Sequence, residues 1–173
     1  MLALKISFIV AVVVANLAVT HYGKWALPFT AFFLIPFDMV ARDLIHRKLG
    51  YRPTKRMMFE HIGTIILIGG LLSYFINQDS KQIAIASSLT FIAVGLVNTV
   101  IYEWCRHLKE SARMIFSNFI ASLVDSAMFQ LIAFGVLDVS LFITQSAAKT
   151  IGGVFWILVL LGVLIIRGLW RSK

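Results

Sequence analysis

One cysteine, Cys105, stands among 173 residues. A lone thiol excludes an internal disulfide framework and lacks the partners of a thiolate metal site, so Cys105 reads as a small buried or interfacial side chain. Acidic residues are scarce too, eight Asp and Glu against 16 Lys and Arg, for a formal net charge of +8. The histidines lie scattered near segment ends, and no Ser-His-Asp arrangement, His-Glu-x-x-His, P-loop or dinucleotide fingerprint is present. Asp38-Met-Val-Ala-Arg42-Asp43 faintly resembles the aspartate-rich motifs of membrane phospholipid synthases, but the spacing needed to hold divalent metals fails. An enzyme is therefore not expected, nor a cofactor or metal. No repeated filter loop or ring-forming charge set suggests an ion channel. No low-complexity tract, linker or soluble domain is visible either.

What is there is apolar. Hydrophobic residues make up 60% of the chain, and the mean hydropathy is +0.89. A soluble domain of this size could not keep a polar surface with so much apolar side chain, which leaves a membrane protein. Six apolar segments, near 5–22, 26–46, 59–77, 82–104, 113–136 and 148–169, each approach the ~20 residues that cross a bilayer. The first has the charge and apolar run of a signal peptide, but no small-x-small cleavage site follows, so a retained helix is expected. The fold class is all-α: one six-helix transmembrane bundle over 1–173.

The charges alternate along the chain. Arg47, Lys48, Arg52, Lys55 and Arg56 follow the second segment, Arg106, Lys109 and Arg113 the fourth, and Arg167, Arg171 and Lys173 the sixth. The other three turns carry only Lys24, Lys81 and Lys149. This is a positive-inside pattern with both termini cytoplasmic. It also explains the net charge without nucleic acid, which is not an expected partner. Trp25, Trp104 and Trp170 fit interfacial anchors at helix ends.

The fifth segment holds the most unusual residues. At about 100° per residue, Asn118, Ser122, Asp125 and Phe129 share one narrow face, with Ser126 beside them and Gln130 further round. A carboxylate at a membrane-helix centre costs about 2.5–3.5 kcal/mol on insertion scales, so Asp125 is expected to face a bundle interior or a watery cavity. In the second segment Pro36 removes a backbone donor and frees the carbonyl of Phe32, which predicts a kink. Asp38 and Arg42 follow at i and i+4, either as a structural ion pair or as a charged cavity lining, and the two readings are compatible. Asp43 can reach Arg47 in an interfacial pair. Asn16 serves either an interhelical hydrogen bond or a ligand. In the fourth segment Asn98 shares a stripe with Ser87, Phe91, Gly95 and Tyr102, where Ser87 and Gly95 read as packing positions. The sixth, opening at Gly152-Gly153, reads as a lipid-facing or packing helix. A purely structural bundle would not require the midplane charges.

These residues carry a resemblance. Residues 118–135, with Asn118, the Asp125-Ser126 pair, Phe129 and Ile132-Ala-Phe134-Gly135, are similar to the fifth helix of the queuosine precursor transporter family. Arg42-Asp43-Leu44 followed by Gly50 looks like its signature closing the second helix, and Ala15-Asn16-Leu17 like its first-helix asparagine. The resemblance implies a multi-pass importer of a bacterial-type inner membrane, taking up 7-cyano-7-deazaguanine and its aminomethyl relative for tRNA modification. Substrate contacts would come from Asp125 first and Asp38 second, since a carboxylate meets the adjacent N–H donors of a guanine edge. Asn118, Asn98 and Gln130 would pair with carbonyl or ring nitrogens, and Phe129, Phe91 or Phe37 would stack. Ser122, Ser126 and Asn16 complete the set, with Arg42 neutralising an aspartate in the empty site. Transport would proceed by alternating access, with Pro36 and the paired glycines as flexing points. A homo-oligomer or a separate energising partner is left open, as is another small vitamin as solute.

Overall fold

The fold comes from a computed structural model. It describes residues 2–49 and 67–166, with the side chains of 2–5, 38, 41–49, 110, 161 and 163–166 left aside. Among the described residues every regular element is helical. Helix α1 spans Leu2–Tyr22, a 3-10 turn Gly23–Ala26, α2 Leu27–Leu49, α3 Leu67–Ile76, a second 3-10 turn Gln78–Ser80, α4 Lys81–Trp104, α5 Glu110–Phe134 and α6 Val139–Ile166.

Two glycines make the sharp corners. Gly23, at φ 60°, ends α1 in the left-handed region that a β-carbon disfavours. Gly135, at φ 70°, ends α5, and its N–H returns to the Leu131 carbonyl at 3.0 Å. The α5–α6 connection is then closed by side chains. Gln130 Oε1 accepts from the Asp138 N–H at 3.0 Å, and Asp138 Oδ1 accepts from the Leu141 N–H at 3.1 Å, as a helix N-cap does.

That cap corrects the expected sixth segment. Helix α6 begins at Val139, not near 148, because Asp138 satisfies its first orphan donors. The extra turns carry Gln145 and Ser146 into the bundle, where they are buried together with Lys149. Lys149 is thus a helix residue rather than an outer-turn charge. Arg113 is likewise buried in α5, 3.2 Å from Glu103 and over the Tyr102 ring. The Gly50-Tyr-Arg-Pro53 turn, Glu60 and His61 lie outside the described residues.

The helices close into a ring. Helix α1 packs on α2, α2 on α6, α6 on α5, α5 on α4, α4 on α3, and α3 again on α1. Among the described residues, four stretches are long and apolar enough to cross a membrane: Ile6–Phe37, Gln78–Trp104, Ser111–Phe134 and Val139–Leu160. The first runs through the Gly23 corner and so covers α1 and half of α2, while Leu67–Ile76 is a shorter apolar helix. Large apolar side chains such as Phe75, Val100, Ile151 and Leu158 are exposed, whereas Ser122, Asp125, Ser126, Gln130 and Lys149 are buried. Polar inside and apolar outside is the distribution a hydrocarbon solvent selects. Trp25 and Trp104 lie exposed at helix ends, as anchors would.

Pro36 shapes the seam between α2 and α6. A β-carbon on Gly152 would fall on the Phe32 carbonyl oxygen and within 2.9 Å of Pro36 Cγ. Helix α6 therefore covers the carbonyl that Pro36 leaves without its usual donor. One turn on, Trp156 Nε1 donates to the Phe33 carbonyl at 2.8 Å. Backbone carbonyls in a membrane interior need such partners, and Trp156 supplies one. Ile157 and Trp156 continue the contact into a core with Val40, Tyr102 and Met114.

Candidate functional site

Within the ring lies a cleft bounded by five helices. Asn16 comes from α1, Thr30 and Ile35 from α2, Ser87 and Phe91 from α4, Asp125 and Phe129 from α5, and Gln145 and Lys149 from α6. It encloses about 410 Å³ with its mouth, but only about 30 Å³ admits the centre of a water molecule. At about 10–15 Å³ per water on that measure, there is room for two waters or so and not for a heterocyclic base.

Asp125 and Lys149 form an ion pair across α5 and α6, with both side chains more than nine-tenths buried. The Lys149 ammonium also donates to Ser126 Oγ at 2.9 Å. Lys149 thus neutralises the carboxylate inside the bundle, which lowers the cost of burying either charge. Removing one partner from such a pair typically costs about 3–5 kcal/mol, because the other charge is left uncompensated. Gln145 sits one turn before Lys149 and so on the same face of α6. It is 1% exposed, and neither its Oε1 nor its Nε2 has a hydrogen-bond partner among the described residues. A buried polar group without a partner costs about 1–3 kcal/mol, so this amide is an expensive feature of the wall.

The expected site residues divide into groups. Asp125, Asn16 and Phe129 line the cleft together with Phe91 and Ser87. Asn16 also donates through Nδ2 to Ser73 Oγ at 3.1 Å, so its interhelical bond and its place in the cleft coexist. Ser126 stands behind the cleft as a Lys149 acceptor. Ser122 turns to its own helix at the Phe119 carbonyl, 2.8 Å, and lies 3.3 Å from Thr150 Oγ1. Gln130 organises the α5–α6 turn. Asn118 and Asn98 are buried but do not line the cleft. Phe37 packs against Trp156 in the α2–α6 seam, with ring centroids 4.9 Å apart. The side chains of Asp38 and Arg42 lie outside the described residues, although α2 runs through both positions.

Lys149, Gln145 and Thr30 were not among the expected residues. The signal for the first two was available: Gln145-Ser-Ala-Ala-Lys149 interrupts an apolar run directly after an Asp138 N-cap. Thr30 gives no such signal, since its hydroxyl is satisfied on its own helix by the Leu27 carbonyl.

An all-helical apolar bundle with charged and amide side chains converging on an interior cleft is an integral membrane protein built around a polar site. Residues 30–165 match the profile of the putative vitamin uptake transporter family, and the chain belongs to that family. Its members are described as vitamin uptake transporters, in line with the family resemblance read at α2 and α5. No curated protein and no solved structure matches the chain.

Proposed function

We propose that the protein imports 7-deazaguanine queuosine precursors, 7-cyano-7-deazaguanine and its aminomethyl relative, across a bacterial-type inner membrane. The observation that carries this reading is Asp125 at the wall of an interior cleft, in a chain of the vitamin uptake transporter family. Of the N–H donors on a guanine edge, the exocyclic amine is open to the Asp125 carboxylate, which retains acceptor capacity beyond its bond to Lys149. Phe91 and Phe129 border the same cleft and offer faces or edges to a planar ring. Six spans with both termini cytoplasmic accord with the alternating loop charges.

The cleft is smaller than a base, so the reading requires the ring of helices to open and close around it, as alternating access does. Gly152 is held close against α2, which favours α2 and α6 moving together over a flexing point at that glycine. A substrate-capture role for another small vitamin is the second reading, favoured by the breadth of the family description.

The test is uptake of labelled 7-cyano-7-deazaguanine in cells lacking their own salvage transporter, wild type against Asp125→Asn. Uptake by the wild type that falls at least about tenfold in a membrane-inserted variant, the cost of about one charged hydrogen bond, is the expected result. A well-expressed wild type that transports none would refute the deazaguanine assignment. Unimpaired uptake by Asp125→Asn would move the site away from this carboxylate.

A further inference from the structure

We propose that Gln145 is the residue by which the cleft recognises its solute, through paired hydrogen bonds to a neutral, planar, amide-like (lactam) edge. The inference rests on the cleft being the transport site.

Gln145 differs from Asp125, Lys149, Asn16 and Thr30, which line the same cleft. Asp125 is held by Lys149, Lys149 also by Ser126, Asn16 by Ser73, and Thr30 by the Leu27 carbonyl. Only the Gln145 side chain both lines the cleft and has two unpartnered polar atoms among the described residues. Asn118 also has both amide atoms unpartnered, but it does not line the cleft. A fully buried amide in this condition calls for a specific reason, because folding alone selects against it.

The chemistry of the amide narrows the ligand. A carboxamide places one donor nitrogen and one acceptor oxygen side by side, and its complement is a neighbouring acceptor and donor on a single edge. The same pairing lets Gln and Asn read nucleobase edges bidentately. The charges around it narrow the ligand further. Asp125 and Lys149 cancel, so the described lining carries no uncompensated charge to balance an ionic solute. A neutral heterocycle can enter without adding a buried charge. Phe91 and Phe129 in the wall suit a flat ring. Lactam-bearing bases of the deazaguanine type belong to this class, as do pterins and pyridones.

Gln145→Leu separates recognition from structure, since it keeps the approximate size and removes both polar atoms. An amide that is unpaired in the empty protein can be replaced by an apolar group at little cost or with a gain. Purified Gln145→Leu should therefore melt at or above the wild-type temperature. A fall of more than about 3 °C, the size of a lost structural hydrogen bond, would show that the amide holds the fold and overturn the proposal.

The recognition arm uses 7-cyano-7-deazaguanine and its O6-methyl analogue, which keeps the ring but lacks the N1–H donor. Wild-type protein should prefer the lactam by about tenfold or more in uptake competition, and Gln145→Leu should lose that preference. A variant that keeps the preference would refute the role. Should the wild type transport no deazaguanine, the function above fails while this inference is still decided. Thermal shifts of purified wild type and Gln145→Leu with pterin, 2-pyridone and nicotinamide then serve as the readout. A shift seen only in the wild type supports the inference with another solute, and no shift with any of them overturns it.

Discussion

The two halves of α6 differ in polarity, VSLFITQSAAKT against IGGVFWILVLLGVLII, and have opposite tasks. Residues 139–150 bring Gln145, Ser146 and Lys149 inward, against α5 and the cleft. Residues 151–166 bring Gly152, Trp156 and Ile157 against α2, where the contacts are to backbone carbonyls and to a hydrophobic core. In the first half, burial is tolerated because Asp125 and Ser126 receive the lysine. In the second, close approach is the gain, because a β-carbon at Gly152 would collide with the chain at Phe32. One helix is thus a site at one end and a strut at the other, and the division falls at Ile151, one residue before the glycine.

The strongest way to break the first half is Lys149→Met. Asp125 would remain buried without its cation, and stability should fall by about 3–5 kcal/mol. The Asp125→Asn, Lys149→Met double variant should recover most of that loss, because no uncompensated charge is left. Thermal unfolding of the wild type and the two variants measures this directly. A double variant as unstable as Lys149→Met would mean that the pair is not the source of the cost. The corresponding break in the second half is Gly152→Val. Overpacking usually costs about 1–3 kcal/mol, and a backbone carbonyl in the way places this case at the upper end. Gly152→Ala should already lower the unfolding temperature, and an Ala variant as stable as wild type would contradict the close approach between α2 and α6.

Much of this arrangement was legible beforehand for a physical reason. Hydrophobic runs of membrane length announce helices, and a carboxylate at the centre of one, Asp125, is too costly to be incidental. Its partner was not legible in the same way. A lysine near the assumed start of a helix defaults to a loop, and only moving that start back to the Asp138 cap puts Lys149 in the interior. Polar residues also turned out to have different employers. Gln130, placed further round the helix from Asp125, closes the turn eight residues ahead. Asn16 finds Ser73 across 57 positions of chain, a pairing that periodicity does not encode. Pro36 was read as a kink that frees the Phe32 carbonyl, and the group that covers it, Gly152, belonged to a helix read as plain packing.

The smallest effect sharpens the comparison most. Trp156→Phe keeps an aromatic ring in the seam but deletes the Nε1 donor to the Phe33 carbonyl. Interhelical hydrogen bonds in membranes average about 0.6 kcal/mol and reach about 1.7, since the freed group often finds another partner. The variant should therefore lose no more than a few degrees of thermal stability. Its uptake should stay close to wild type at a temperature where both are folded, because Trp156 does not line the cleft. The contrast with Gln145→Leu is then complete: one substitution lowers stability slightly and spares transport, and the other spares stability and abolishes selection. If Trp156→Phe instead cut uptake deeply, the α2–α6 seam would have to rearrange during transport. The two helices could then no longer be regarded as one moving unit.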